Sequence, residues 1–131
     1  TADIVPNGAG YNLIAKFERA DGLSLGSEVR IAGVKIGKVI TQDLDKVSYN
    51  AVIVMRINND IKIPADSSAQ IVGDGLLGDK YIAITPGGDD AMLADNAQVT
   101  ITQSSVNIET LIGKMIFNPD KKDQEKEKEN K

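Results

Sequence analysis

The chain has 131 residues, a formal net charge of −4, four per cent aromatic residues, and neither Cys nor His. That composition excludes disulfides, thiolate nucleophiles, Cys/His zinc sites and every triad that depends on His. The acidic balance argues against nucleic acid, whose partners carry a basic footprint. No run approaches about 18 apolar residues, so no segment of the sequence reads as a transmembrane helix. The first residue is Thr1, and a signal or anchor is expected to have preceded it.

Residues 1–10 are small and polar, with Pro6, Gly8 and Gly10, and read as a linker. Tyr11 to Glu18 carries Leu13, Ala15 and Phe17 at period two, the pattern of a half-buried strand. Turns at Asp21-Gly22 and Gly26-Ser27 precede a second strand over Glu28 to Ala32. Gly33 and Gly37 are expected to bracket a tight reversal, after which Gly37 to Leu44 is extended. Asp45 to Val47 leads into the longest alternation in the chain, Ser48 to Asn58. There Tyr49, Ala51, Ile53, Met55 and Ile57 share one face, opposite Val52, Val54 and Arg56. Beyond a break at Pro64-Ala65-Asp66, strands are expected over Ser68 to Val72, Asp79 to Thr85 and Gln98 to Thr102. Seven short strands with no helix between them predict an all-β barrel or sandwich.

The period changes after Ser104-Ser105. Ile108, Leu111, Ile112, Met115 and Ile116 follow the spacing of an amphipathic helix over residues 104–118, with a Ser cap at its start and Pro119 at its end. A helix of about three turns is marginal alone in water, so this stripe needs a partner. The tail, residues 119–131, is charged and net neutral and reads as disordered and solvated.

Few residues could carry chemistry. Glu109, Asp79 and the pair Asp89-Asp90 are the only carboxylates placed for acid/base work, and Asp89-Asp90 follows Gly87-Gly88 in a turn that favours Asp for local backbone bonding. The acids within Gly87 to Asn96 do not match calcium-loop spacing. Gly33 to Val39 superficially matches a phosphate loop, but it lacks one residue between its glycines, a Ser or Thr after the Lys, and a following helix. No metal site and no cofactor are expected. The unusual segment is Gly75-Leu76-Leu77-Gly78. Neighbouring residues on a strand alternate faces, so two adjacent Leu cannot both point inward. Either the loop tucks under the barrel, or it meets copies of itself or an apolar ligand.

Two stretches together carry a resemblance. Phe17-Glu18, Asp21-Gly22-Leu23 and Gly26 to Val39 (GSEVRIAGVKIGKV) resemble the opening of an MCE (mammalian cell entry) domain. So does Ile63-Pro64-Ala65-Asp66-Ser67-Ser68-Ala69 leading into Gly75 to Ile84 (GLLGDKYIAI). These motifs stand in the family's order and spacing, within a domain placed at residues 11–103. Ile108 to Lys114 is similar to the helix that follows the barrel in members with one MCE domain.

The resemblance implies a seven-stranded β-barrel, a homohexameric ring and an N-terminal anchor in the bacterial inner membrane, with the domain on the periplasmic side. It implies phospholipid binding and transport across the periplasm as a pore subunit of an ABC-type system that maintains outer-membrane lipid asymmetry. The implied partners are an ABC permease, an ATPase and a soluble periplasmic lipid carrier. Gly75, Leu76, Leu77 and Gly78 correspond to the pore loop, with the leucines at the constriction, and the 108–116 stripe to a pore helix. Thr1 to Gly10 departs from the pattern, being only a linker where an anchor belongs. The rival readings are a non-conducting β-barrel adaptor or scaffold of an envelope export assembly, and a hydrolase working with Asp and Lys alone.

Overall fold

Alternation in the first strand buries Leu13, Ala15 and Phe17 along one side of Gly10–Phe17 (β1), and the same rule buries Ile53, Met55 and Ile57 in Ala51–Asn58 (β4). The computed structural model describes residues 9–75 and 78–104 of the chain. Between and after those two strands lie Glu28–Ile31 (β2), Val34–Leu44 (β3), Ser68–Gly73 (β5), Lys80–Thr85 (β6), Ala97–Val99 (β7) and Ile101–Gln103 (β8). There is no helix among the described residues. The predicted helix over residues 104–118 and the charged tail fall, from Ser105 onward, outside them.

All eight strands join one sheet in the order β7-β1-β4-β3-β2-β6-β5-β8. Its two outer members, β7 and β8, are consecutive in the chain and separated only by Thr100. β7 pairs in parallel with β1, and β8 pairs in parallel with β5. One short run therefore bridges the two margins of the sheet and curls it into a nearly closed barrel, which removes the exposed edges of an open sheet. The Thr102 hydroxyl reinforces the seam by donating to the Lys16 carbonyl at 2.7 Å, and the Ser104 hydroxyl accepts from the Arg19 amide at 3.1 Å. The interior is aliphatic, with Val29, Val39, Ile71, Ile82, Ile84 and Val99 packed around the β1 and β4 residues.

Three details differ from the expected pattern. The seventh expected strand, Gln98 to Thr102, is two strands, because its halves pair with opposite margins of the sheet. Tyr49 is not on the inner face of β4 but exposed in the turn before it, with φ 62°. The Asp45 carboxylate accepts the amides of Val47 at 2.9 Å and Ser48 at 3.2 Å, fixing that turn and delaying the strand to Ala51. Finally, the reversal after β2 is made by Ala32 (φ 54°) and Gly33 (φ 81°), while Gly37 lies inside β3. Register shifts at Val29/Arg30 mark a bulge there, which explains how the neighbours Ile36 and Gly37 are both buried.

Gly37 is required by close approach. A Cβ at this position would lie 2.1 Å from the Arg56 carbonyl oxygen on β4 and 3.1 Å from the Ile57 Cα. Both are backbone atoms, so relief requires the two strands to separate. Gly37→Ala is expected to destabilise the barrel by about 1–3 kcal/mol, the usual cost of overpacking. Thermal unfolding of the variant checks this, and an unchanged Tm would mean that β3 and β4 part without cost.

Candidate functional site

The segment singled out in the sequence lies between β5 and β6. The two strands form an antiparallel hairpin whose last pair is Gly73 with Lys80, and beyond it the Asp74 amide donates to the Asp79 carbonyl at 3.1 Å. Gly75 takes φ 83°, a conformation L side chains rarely adopt, with open space where a Cβ would stand. Gly78 has the opposite reason for being glycine, since a Cβ there would lie 1.7 Å from the Asp74 carbonyl oxygen. The two glycines thus shape a narrow connection from both sides. Leu76 and Leu77, which complete it, lie outside the described residues, as do Ile108, Leu111, Ile112, Met115 and Ile116.

Register fixes where this connection stands. β5 runs parallel to β8 with Gln70 opposite Gln103, so Gly73 extends about 10 Å further in the same direction. The chain leaves β8 through Ser104 at that end, beside Arg19 just past β1. The β3–β4 turn is there too, presenting Leu44, Tyr49 and a Val47 that is 90% exposed. The Asp74–Asp79 connection and the departure of the chain toward residue 108 therefore share one end of the barrel.

An open cleft of about 390 Å³ lies at the foot of the connection, walled by the residues 24–28 turn, Arg30, Asp74, Asp79, Lys80 and Tyr81. Its lining is mostly polar, which suits neither an acyl chain nor a buried catalytic centre. Arg30 organises it. The guanidinium carbon lies 4.0 Å from the centroid of the Tyr81 ring, Nε donates to Glu28 Oε1 at 2.9 Å, and Nη2 donates to Asp74 Oδ2 at 3.4 Å. The hydrogen bond to Glu28 is the main reason its pKa stands above the ordinary arginine value. The sequence signalled half of this arrangement, because Glu28 and Arg30 are two apart on one strand and so share a face. Asp74 is 44 residues away and no local pattern announces it.

A family model described as MlaD protein matches residues 9–87, the stretch from the start of β1 to the turn after β6. The chain belongs to the MlaD family. Both motif stretches that carried the MCE resemblance lie within the match. The binding protein MlaD of the Haemophilus influenzae intermembrane phospholipid transport system is 38% identical over 117 residues, covering 86% of this chain and 70% of that protein. The corresponding protein of Escherichia coli K12 is 34% identical over 113 residues, and the chain spans 62% of its length. Among solved structures, a chain of the Acinetobacter MlaFEDB complex in its ATP-bound conformation superposes with a TM-score of 0.75. That likeness covers 81% of each chain at 23% identity and shows the shared fold.

In this member of the MlaD family several of the described carboxylates serve turns. Asp66 accepts the amides of Gly88 and Asp89, each at 3.0 Å, and the Asp89 amide is the largest cause holding its pKa below the usual carboxylate value. The Asp89 carboxylate in turn accepts from the Ala91 amide at 3.1 Å, the local backbone role expected of it. Asp45 has its pKa lowered chiefly by the Val47 amide, and lies 3.5 Å from Lys16. Among the described residues no three His, Cys, Asp or Glu side chains converge as metal ligands would.

Proposed function

We propose that this chain is the phospholipid-binding subunit of an intermembrane transport system, working as a homohexameric ring on the periplasmic side of the inner membrane. The observation that carries this reading is identity of 38% to one phospholipid transport binding protein over 86% of this chain, and of 34% to a second over 82%. Residues 1–10 are the linker from a single-pass anchor, residues 11–103 the MCE barrel, residues 104–118 a pore helix and residues 119–131 a solvated tail. Partners are an ABC permease, an ATPase and a soluble periplasmic lipid carrier. The chain itself is not an enzyme, and ATP hydrolysis belongs to the ATPase subunit.

In this reading Gly75, Leu76, Leu77 and Gly78 form the constriction, and the stripe Ile108, Leu111, Ile112, Met115 and Ile116 lines the path beyond it. Register supports the combination, because the connection and the chain's exit stand at one end of the barrel. Six copies turned with that end inward bring both apolar elements around one axis. The physical need is plain: an acyl chain gains about 0.8 kcal/mol for every CH₂ kept from water. A continuous apolar lining lets a lipid cross an aqueous compartment without giving that gain up at each step. Bundling of the stripes also gives a short amphipathic helix the partners it needs.

Native mass spectrometry of the full chain, released gently from detergent, tests ring and ligand together. The expected spectrum shows about six times the monomer mass, with added masses that fragment to phospholipid. A strictly monomeric, lipid-free chain at high micromolar concentration would overturn the reading. A ring without lipid would favour the adaptor class.

A further inference from the structure

Asp74, where the chain leaves β5, is held from the neighbouring strand pair. Arg30 stands on β2, which pairs in parallel with β6 and puts Arg30 opposite Ala83. Its side chain is 20% exposed, against 62% for Asp74. The guanidinium is the seated partner and the carboxylate the one it restrains. Two contacts seat it independently of Asp74: the ring of Tyr81 beneath and the Glu28 carboxylate beside it. An exposed ion pair between two free side chains is weak, since both must be immobilised to form it. A planar guanidinium already fixed by a ring and a carboxylate loses little further freedom on taking a second carboxylate. The Asp74 amide is then presented to the Asp79 carbonyl, and Gly75 and Gly78 follow with the backbone shapes described above.

We infer that Arg30 is a positioning residue for the Asp74–Asp79 connection, acting through the Asp74 carboxylate to set how the connection leaves the barrel wall. Its consequence for lipid passage rests on the proposed function. Its effect on the connection does not. Lysine is a poor substitute, because a compact ammonium offers neither the fork that reaches two carboxylates nor the plane that lies on Tyr81.

Amide hydrogen exchange at single-residue resolution, on the full chain in its native assembly, separates this role from general support of the sheet. The reporter is the Asp74 amide, and the references are the amides of Leu13 and Ile53 in the barrel. Arg30→Ala is expected to speed exchange at Asp74 roughly twofold to fivefold, the scale on which removing one seated charge interaction eases a local opening. The reference amides should not change, and Arg30→Lys should recover only a small part of the protection. Asp74→Ala should speed exchange at neighbouring amides no more than Arg30→Ala, which also removes the Tyr81 and Glu28 contacts, and the double variant should add nothing to Arg30→Ala, because the ion pair is already gone. Unchanged exchange at Asp74, equal acceleration throughout the barrel, or additive single effects would each overturn the inference. Lipid transfer between vesicles, run on the same variants, tests the proposed function separately. If Asp74 opens as expected while wild type transfers no lipid, the proposed function fails and the positioning role stands.

Discussion

Phe17→Ala is expected to lower the melting temperature by on the order of 12–40 °C, the product of a large cavity cost and a steep dependence of Tm on stability in a small barrel. The residue is 1% exposed and lies at the end of β1, opposite Ala51 of β4. The chain has two Phe and no Trp, and the second Phe is Phe117. Among the described residues Phe17 is the one aromatic ring fully buried, in a core otherwise made of aliphatic side chains and Met55. Truncating a buried Phe to Ala typically costs about 3–5 kcal/mol, the transfer term plus the cavity that neighbours fail to fill. A domain of this size has only about 5–15 kcal/mol in total, so a large part of its stability goes with one ring. Each kcal/mol moves Tm by about 4–8 °C in a barrel of this length, which gives the stated range. Calorimetry on variant and wild type in the same assembly state measures it. Phe17→Leu, which keeps most of the volume, should lose far less. A Tm within a few degrees of wild type for the Ala variant would mean that the β1 end of the barrel collapses around the gap, and that Phe17 is not a keystone of the core.

That Phe17 is interior was legible from Leu13, Ala15 and Phe17 at period two, and the same signal marked Ile53, Met55 and Ile57. Period two reports which face a residue takes only while the chain stays extended. Tyr49 continues the alternation of β4 on paper, but Asp45 binds the amides of Val47 and Ser48 and turns the backbone before the strand begins. At Ile36 and Gly37 a bulge puts consecutive residues inside, and a rule of strict alternation has no place for that. The division at Thr100 depends on pairing with β1 on one side and β5 on the other, partners far away in the chain. Local sequence carries no record of such partners. The family was readable because its motifs mark turns, and turn residues are chosen by backbone geometry: Gly33 in the β2–β3 reversal, Gly75 and Gly78 in the connection. Arg30 escaped notice as a candidate because half of its meaning lies at Asp74.

Replacing Leu76 and Leu77 together with Asn is expected to slow phospholipid transfer roughly tenfold to a hundredfold while leaving the barrel folded. The described frame explains why folding should survive. The hairpin is closed by the Gly73 and Lys80 pair and by the Asp74 amide on the Asp79 carbonyl, and Gly75 and Gly78 supply the backbone shapes that follow. None of these contacts involves a leucine side chain, and Asn is at ease in a turn. Passage is another matter. An acyl chain moving past a collar of amides strips water from groups that then find no hydrogen-bond partner in the lipid. An unpaired amide loses about 1–3 kcal/mol in protein settings. One such loss at the narrowest point already accounts for a factor of about five to a hundred or more in rate. Three measurements on the double variant and wild type separate the readings: melting temperature, ring mass, and transfer of a labelled phospholipid between vesicles by the reconstituted system. A variant that unfolds, or loses many degrees in Tm, would make the leucines core residues tucked under the barrel. A folded ring that transfers lipid at the wild-type rate would remove Leu76 and Leu77 from the path. Intact Tm, intact ring and slow transfer is the result that follows from an apolar collar. Graded recovery with Leu76→Met and Leu77→Met, which restore apolar surface without restoring shape, would tie the effect to hydrophobicity.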